Sequence, residues 1–217
     1  MKTMFININA LIFLVLFSNI LPAQNLIENP VLDKKVKGFL DKNSGSWSDM
    51  NVPIKDGKLL YDIIIKNRYK SALEIGTSTG HSSIWIAWAL SKTGGKLITI
   101  EIDEYRYKEA LKNIKEAGLE NYIDARLADA HELVKKLPGP FDFVFSDADK
   151  NWYKNYFIDI DPKLIVNGCY TSHNVSENRH SVTPSSYLNF LKSLPNYETT
   201  VNEEGAGMSI SYKKRVK

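Results

Sequence analysis

The chain has 217 residues, and its 28 Lys and Arg stand against 25 Asp and Glu for a formal net charge of +3, too small a bias for a dedicated nucleic-acid binder. A single cysteine, Cys169, excludes an internal disulfide and any multi-cysteine metal site, and its apolar setting marks it as a core residue rather than a nucleophile. Once the first segment is set aside, one ordinary domain is left, large enough to bury a core without staples.

Residues 1–23 differ in kind from the rest. Lys2 precedes an apolar run over 10–17, and Leu21-Pro22-Ala23 places a small residue just before Gln24. These features predict a signal peptide, an exported protein (periplasmic or extracellular) and a domain over 24–217. The alternative is an uncleaved membrane anchor: the wider stretch over 4–21 approaches the about 20 residues of a bilayer span. Lys34, Lys35 and Lys37 would then favour a cytoplasmic domain.

From Asn25 the pattern predicts a helical lead-in carrying Leu26, Ile27, Val31, Val36, Phe39 and Leu40, then a polar loop over 41–49 and an apolar helix over 59–66. A short β-rich run ends in a glycine turn over 76–80, and a helix follows over 81–90. Strand (96–101), helix (104–117), strand (123–128), helix (130–136), strand (141–147), helix (152–160) and strand (169–173) come next. A last helix over 184–194 leads to strands over 197–201 and 208–212, joined by an Asn-Glu-Glu-Gly-Ala-Gly turn. Such alternation predicts an α/β domain with a mainly parallel, doubly wound sheet, helices on both faces, and an antiparallel C-terminal edge hairpin.

The most telling stretch is Leu73-Glu74-Ile75-Gly76-Thr77-Ser78-Thr79-Gly80. Gly76 can take backbone angles closed to other residues, and Gly80 lets the next helix pack close while its free N–H groups face an anion. The spacing is not Gly-x-Gly-x-x-Gly. A glycine, three residues and a second glycine, preceded by the acid Glu74, suit the amino-acid part of S-adenosylmethionine (SAM) better than a pyrophosphate; a bland strand-to-helix turn is the alternative. The next strand ends in Glu101, where a Rossmann-like unit places an acid for the ribose hydroxyls, while Asp103 fits better as the cap of the following helix.

Ligands of such sheets bind beyond the carboxyl ends of the strands. The strand over 141–147 leads into Asp147-Ala148-Asp149-Lys150, and the strand over 169–173 ends in His173-Asn174. Asp147, His173 and Asn174 could offer a carboxylate oxygen, an imidazole nitrogen and an amide oxygen to a divalent cation. Of the other histidines only His180 can lie near this rim.

These blocks resemble the cation-dependent O-methyltransferases related to catechol and caffeoyl-CoA O-methyltransferases, from about Ser46 to the C-terminus. The resemblance implies a Rossmann-like class I methyltransferase fold. Met50-Asn51-Val52, with Gly57 after it, resembles the loop that closes over SAM. LEIGTSTGHSS resembles the cofactor turn, implying that Gly76, Ser78 and Ser82 take up the methionine part, and ITIEID puts Glu101 on the ribose. In LADAHEL, Asp129, Ala130 and His131 fall where the family borders the adenine. FDFVFSDADKNWY is the most specific block, and it implies Asp147 as metal ligand beside the cofactor and Lys150 as general base.

One departure stands out. The family closes the fifth strand with Asp-Asn, whereas this chain has His173-Asn174. A neutral imidazole in place of a carboxylate weakens the hold on Mg²⁺ and shifts preference toward Mn²⁺, Fe²⁺ or Zn²⁺. The resulting expectation is a SAM-dependent, metal-assisted O-methyltransferase acting on a small hydroxylated aromatic, with a homodimer left open. Three alternatives stay beside it: a metal-free transferase using Lys150 or His173 as base, another oxidoreductase or transferase that uses an adenosine cofactor, and a non-catalytic SAM-binding protein.

Overall fold

The computed structural model describes residues 25–47, 49–177 and 182–215. The expected signal peptide and His180 lie outside them. Among the described residues no helix is long and apolar enough to cross a membrane.

Seven strands are formed: β1 (Ser71–Ile75), β2 (Lys96–Glu101), β3 (Ile123–Leu127), β4 (Phe141–Ser146), β5 (Leu164–His173), β6 (Tyr197–Asn202) and β7 (Met208–Lys213). They build one sheet in the order β3-β2-β1-β4-β5-β7-β6. The first five are parallel, and the C-terminal hairpin adds β7 antiparallel to β5 and β6 antiparallel to β7. The strand order turns back on itself between β1 and β4, and doubly wound sheets open a ligand crevice at such a point. Ile75 is in register with Ser146, so the residues that follow them, Gly76 and Asp147, leave the sheet side by side.

The strands alternate their burial between two layers, as a period of two requires. Leu73, Ile75, Val144 and Tyr170 face α5 (Ala130–Lys136), α6 (Tyr153–Ile160) and α7 (Ser185–Ser193) in one core. Ala72, Leu97, Phe143, Phe145 and Cys169 face α2 (Ile54–Asn67) and α3 (His81–Thr93) in the other. A third cluster joins α1 (Pro30–Lys42) and α4 (Glu104–Ala117) to the outer side of α3. Gly57 is what lets α2 and α3 meet, because a Cβ there would stand 2.2 Å from Trp85 Cδ1.

Most expected elements form, with shifted ends. The difference that matters is α2, which starts at Ile54 rather than at residue 59 because Pro53 initiates it and Asp56 favours its first turn. Asp56 is thereby carried on a helix and buried rather than left in a loop.

Candidate functional site: a cofactor cleft with a charged rim

The ends of β1, β2, β4 and β5 border one cleft of ≈ 710 Å³, within the about 300–1,000 Å³ usual for small-molecule sites. Its floor is the glycine turn. Gly76 has φ +100, and a Cβ on it would lie 2.8 Å from the carbonyl oxygen of Asp147, so this strand crossing admits only glycine. The Gly76 and Thr77 N–H groups both donate to the Ile100 carbonyl, which pins the turn to β2.

Glu101 is the acid of the cleft. Its Oε2 accepts the Ser78 N–H at 2.7 Å, and its Oε1 accepts the N–H groups of Ile102 and Asp103 at 3.0 and 2.9 Å. Three backbone donors fix the carboxylate, and its remaining acceptor capacity is turned to the cleft that it lines. Asp103 caps α4, accepting the Arg106 N–H at 2.8 Å.

A loop over residues 49–53 folds down on this turn. Ser78 Oγ donates to the Asp49 carbonyl at 2.6 Å, Asn51 Nδ2 donates to Thr79 Oγ1 at 2.8 Å, and Arg106 grips the Asp49 carboxylate with two bonds of 3.0 Å. His81 fastens the far end of the loop. Its Nε2 accepts the Trp85 indole N–H at 3.1 Å, so its proton sits on Nδ1 and is donated to the Val52 carbonyl at 2.8 Å. Burial of the ring, outweighing that bond, pushes the His81 pKa down to about 4.

On the opposite wall, the Asp129 carboxylate caps α5 and bonds the His131 ring at 2.8 Å. That ring stacks on Tyr156 and meets the edge of Trp152, giving a flat surface next to Ala130.

Met50, Asn51, Gly76, Ser78, Ser82, Glu101, Asp129, Ala130, His131, Asp147, Lys150, His173 and Asn174 all line the cleft. Three expected cofactor residues do not. Val52 contributes its carbonyl to His81, and Gly80 caps α3 against Ala110. Glu74 points to the other face of β1 because strand residues alternate, and it is wholly buried against Ser83 and Thr99. Burial lifts its pKa to about 7 against the lowering effect of those hydroxyls.

At the rim, Asp147 is held between two basic side chains. Lys150 Nζ lies 2.5 Å from its Oδ1 and His173 Nδ1 lies 3.1 Å from its Oδ2. The other ring nitrogen of His173, Nε2, meets Asp56 Oδ2 at 2.9 Å, and that same oxygen accepts the Ala206 N–H at 2.9 Å. Burial alone would lower the His173 pKa, but bonds to Asp147 and Asp56 overcome it and raise it to about 9.

This geometry corrects the expected metal set of Asp147, His173 and Asn174. A metal-bound imidazole needs a free lone pair, and both His173 nitrogens are turned to carboxylates, while each Asp147 oxygen already faces a basic side chain. Among the described residues no cluster of three or more His, Cys, Asp or Glu is arranged to hold a metal ion. The residues present do not fit a divalent cation. Sequence reading missed Asp56 as a member of this group, because its partner lies 117 positions away; the clamp of Arg106 on Asp49 was missed for the same reason.

An O-methyltransferase family model matches residues 7–175. The chain belongs to the O-methyltransferase family. It is 40% identical over 112 residues to a catechol O-methyltransferase of Niastella koreensis, covering 50% of this chain and 50% of that protein. It is 29% identical over 174 residues to caffeoyl-CoA O-methyltransferase 1 of Eucalyptus globulus, covering 78% of this chain and 70% of the relative. The chain spans about half the length of several curated relatives it matches, the Niastella protein among them. An O-methyltransferase from Bacillus cereus in complex with SAH shares the fold, with a TM-score of 0.68 at 24% identity over 87% of this chain and 92% of that one. This member of the O-methyltransferase family has a mixed seven-stranded sheet.

Proposed function

We propose that the chain binds SAM in its cleft and transfers the methyl group to a hydroxyl of a small, catechol-like aromatic. The observation that carries this reading is the meeting, in one cleft, of the glycine turn and Glu101 with the Lys150 rim. SAM-bound and SAH-bound structures of the same fold, and relatives named for catechol and caffeoyl-CoA, support it.

In this reading Glu101 receives the ribose, the flat His131 surface borders the adenine, and the turn over 76–80 receives the methionine end. A phenol gives up its proton only near pH 10, at about the value of a tyrosine, so the oxyanion must form beside a positive charge. Lys150 supplies it: its ammonium stem is held by Asp147, and its other N–H bonds can reach an acceptor oxygen in the cleft. In this reading Lys150 acts as a donor within its ion pair with Asp147, rather than as the general base that the resemblance implies. The phenol proton leaves to solvent, the oxygen attacks the sulfonium methyl in line, and an aryl methyl ether and S-adenosylhomocysteine result. Holding both reactants for this attack contributes several kcal/mol of the acceleration.

Calorimetry with SAM, followed by transfer of labelled methyl from SAM to catechol, tests the proposal. Tight SAM binding with labelled methyl ether as product is expected. No SAM binding would overturn it, and SAM binding without turnover on any hydroxylated aromatic would favour a SAM-binding protein instead.

A further inference from the structure

We infer that this chain carries its own cation in the place where a divalent ion would have to sit, so that acceptor methylation requires no metal. The inference rests on the proposed activity for its second half, but its first half is a statement about the rim alone.

Three independent contacts build the arrangement. His173 bridges two carboxylates, with Nδ1 at 3.1 Å from Asp147 and Nε2 at 2.9 Å from Asp56. The Asp56 contact is a hydrogen bond and the Asp147 contact an ion-pair approach, so neither ring nitrogen faces open space. Asp56 itself is embedded, 1% exposed, and the turn between β6 and β7 is shaped around it: Ala206 donates its N–H, and a Cβ on Gly205 would stand 1.7 Å from Asp56 Oδ1. Lys150 takes the other oxygen of Asp147. Two carboxylates and two basic groups thus alternate in one row, Asp56–His173–Asp147–Lys150.

A divalent ion at Asp147 would add two positive charges against the Lys150 side chain, and the buried His173 ring would have to turn away from a carboxylate before one of its nitrogens could reach the ion. Nothing comparable stands against the ring itself, which already meets carboxylates on both sides. The chain instead steadies Lys150 by fixing Asp147 from behind, so His173 and Asp56 are positioning residues and Lys150 is the group that touches substrate.

The test uses the full chain with Mn²⁺ and Zn²⁺ as probes. Calorimetry and the Mn²⁺ paramagnetic resonance signal should show no uptake by the wild type at concentrations that saturate ordinary divalent sites. His173→Asp, which frees one oxygen of Asp147 and adds another oxygen donor, should acquire Mn²⁺ binding; His173→Asn serves if that variant does not fold. Nitrogen-15 spectra of histidine-labelled chain should show both ring N–H signals of His173 at neutral pH. Methylation of catechol should run unchanged in excess chelator. Stoichiometric uptake of either metal by the wild type, a single His173 ring N–H, or activity lost to chelator and restored by Mn²⁺ would each overturn the inference. Metal uptake and ring spectra need no turnover, so a chain that binds SAM but methylates nothing counts against the proposed activity and leaves these two measurements to decide.

Discussion

Asp56 Oδ2 lies 2.9 Å from His173 Nε2, across 117 positions of chain and between a helix of one layer and the end of a central strand. This contact turns the rim from a set of open groups into a closed row of paired side chains. Its consequences reach the cofactor side as well, since Asp147 borders Gly76.

With Glu101 on the ribose as proposed, removing its carboxylate deletes at least one charge-assisted bond worth about 1.5–3 kcal/mol. Glu101→Ala should therefore weaken SAM by about tenfold or more. Calorimetry checks this, with a thermal melt to show that the variant, which also loses three backbone contacts, is folded. Unchanged affinity in a folded variant removes Glu101 from the ribose.

Gly76→Ala should act through the backbone. The residue sits at φ +100 with the Asp147 carbonyl 2.8 Å from a would-be Cβ, so an alanine must strain the turn or push β4 aside. A loss of about 1–3 kcal/mol in urea unfolding is expected, together with weaker SAM binding. Wild-type stability and affinity in the variant would show that the turn can relax.

The stability of the chain should fall on acidification because of His81. Its folded pKa of about 4 lies below its ordinary 6.5, so the unfolded chain binds more protons between these values. The contribution is complete above pH 6.5 and is lost as pH falls toward 4. Urea midpoints at neutral and acid pH should differ less in His81→Gln than in the wild type. Equal slopes in the two proteins would mean that His81 protonates freely in the fold.

Glu74 should tilt the balance the other way. Its folded pKa near 7 stands above its ordinary 4.5, so its buried neutral form favours the fold below pH 4.5, and this advantage disappears as pH rises through 7. Glu74→Gln keeps the shape and removes the ionisation. The variant should gain on the wild type in urea midpoint between pH 6 and pH 8.5, and a constant difference across that interval would refute the assignment.

Much of this protein was legible before any coordinates. The alternating helices and strands, the glycine turn and the acid closing β2 are local patterns, because period, turn chemistry and a strand-end acid are all specified within a few residues of one another. Those patterns determined the doubly wound sheet and placed Gly76, Ser78, Glu101, Asp147 and Lys150 around one cleft. What they could not decide is which way a side chain faces once layers close on both sides. Glu74 belongs by sequence to the cofactor turn, yet strand alternation sends it into the α3 face. The rim depended on tertiary structure most of all. His173 reads locally as a metal ligand, but a ligand is defined by where its lone pairs point, and that was decided by Asp56 arriving from α2 and by a C-terminal turn whose Gly205 and Ala206 leave room for its carboxylate.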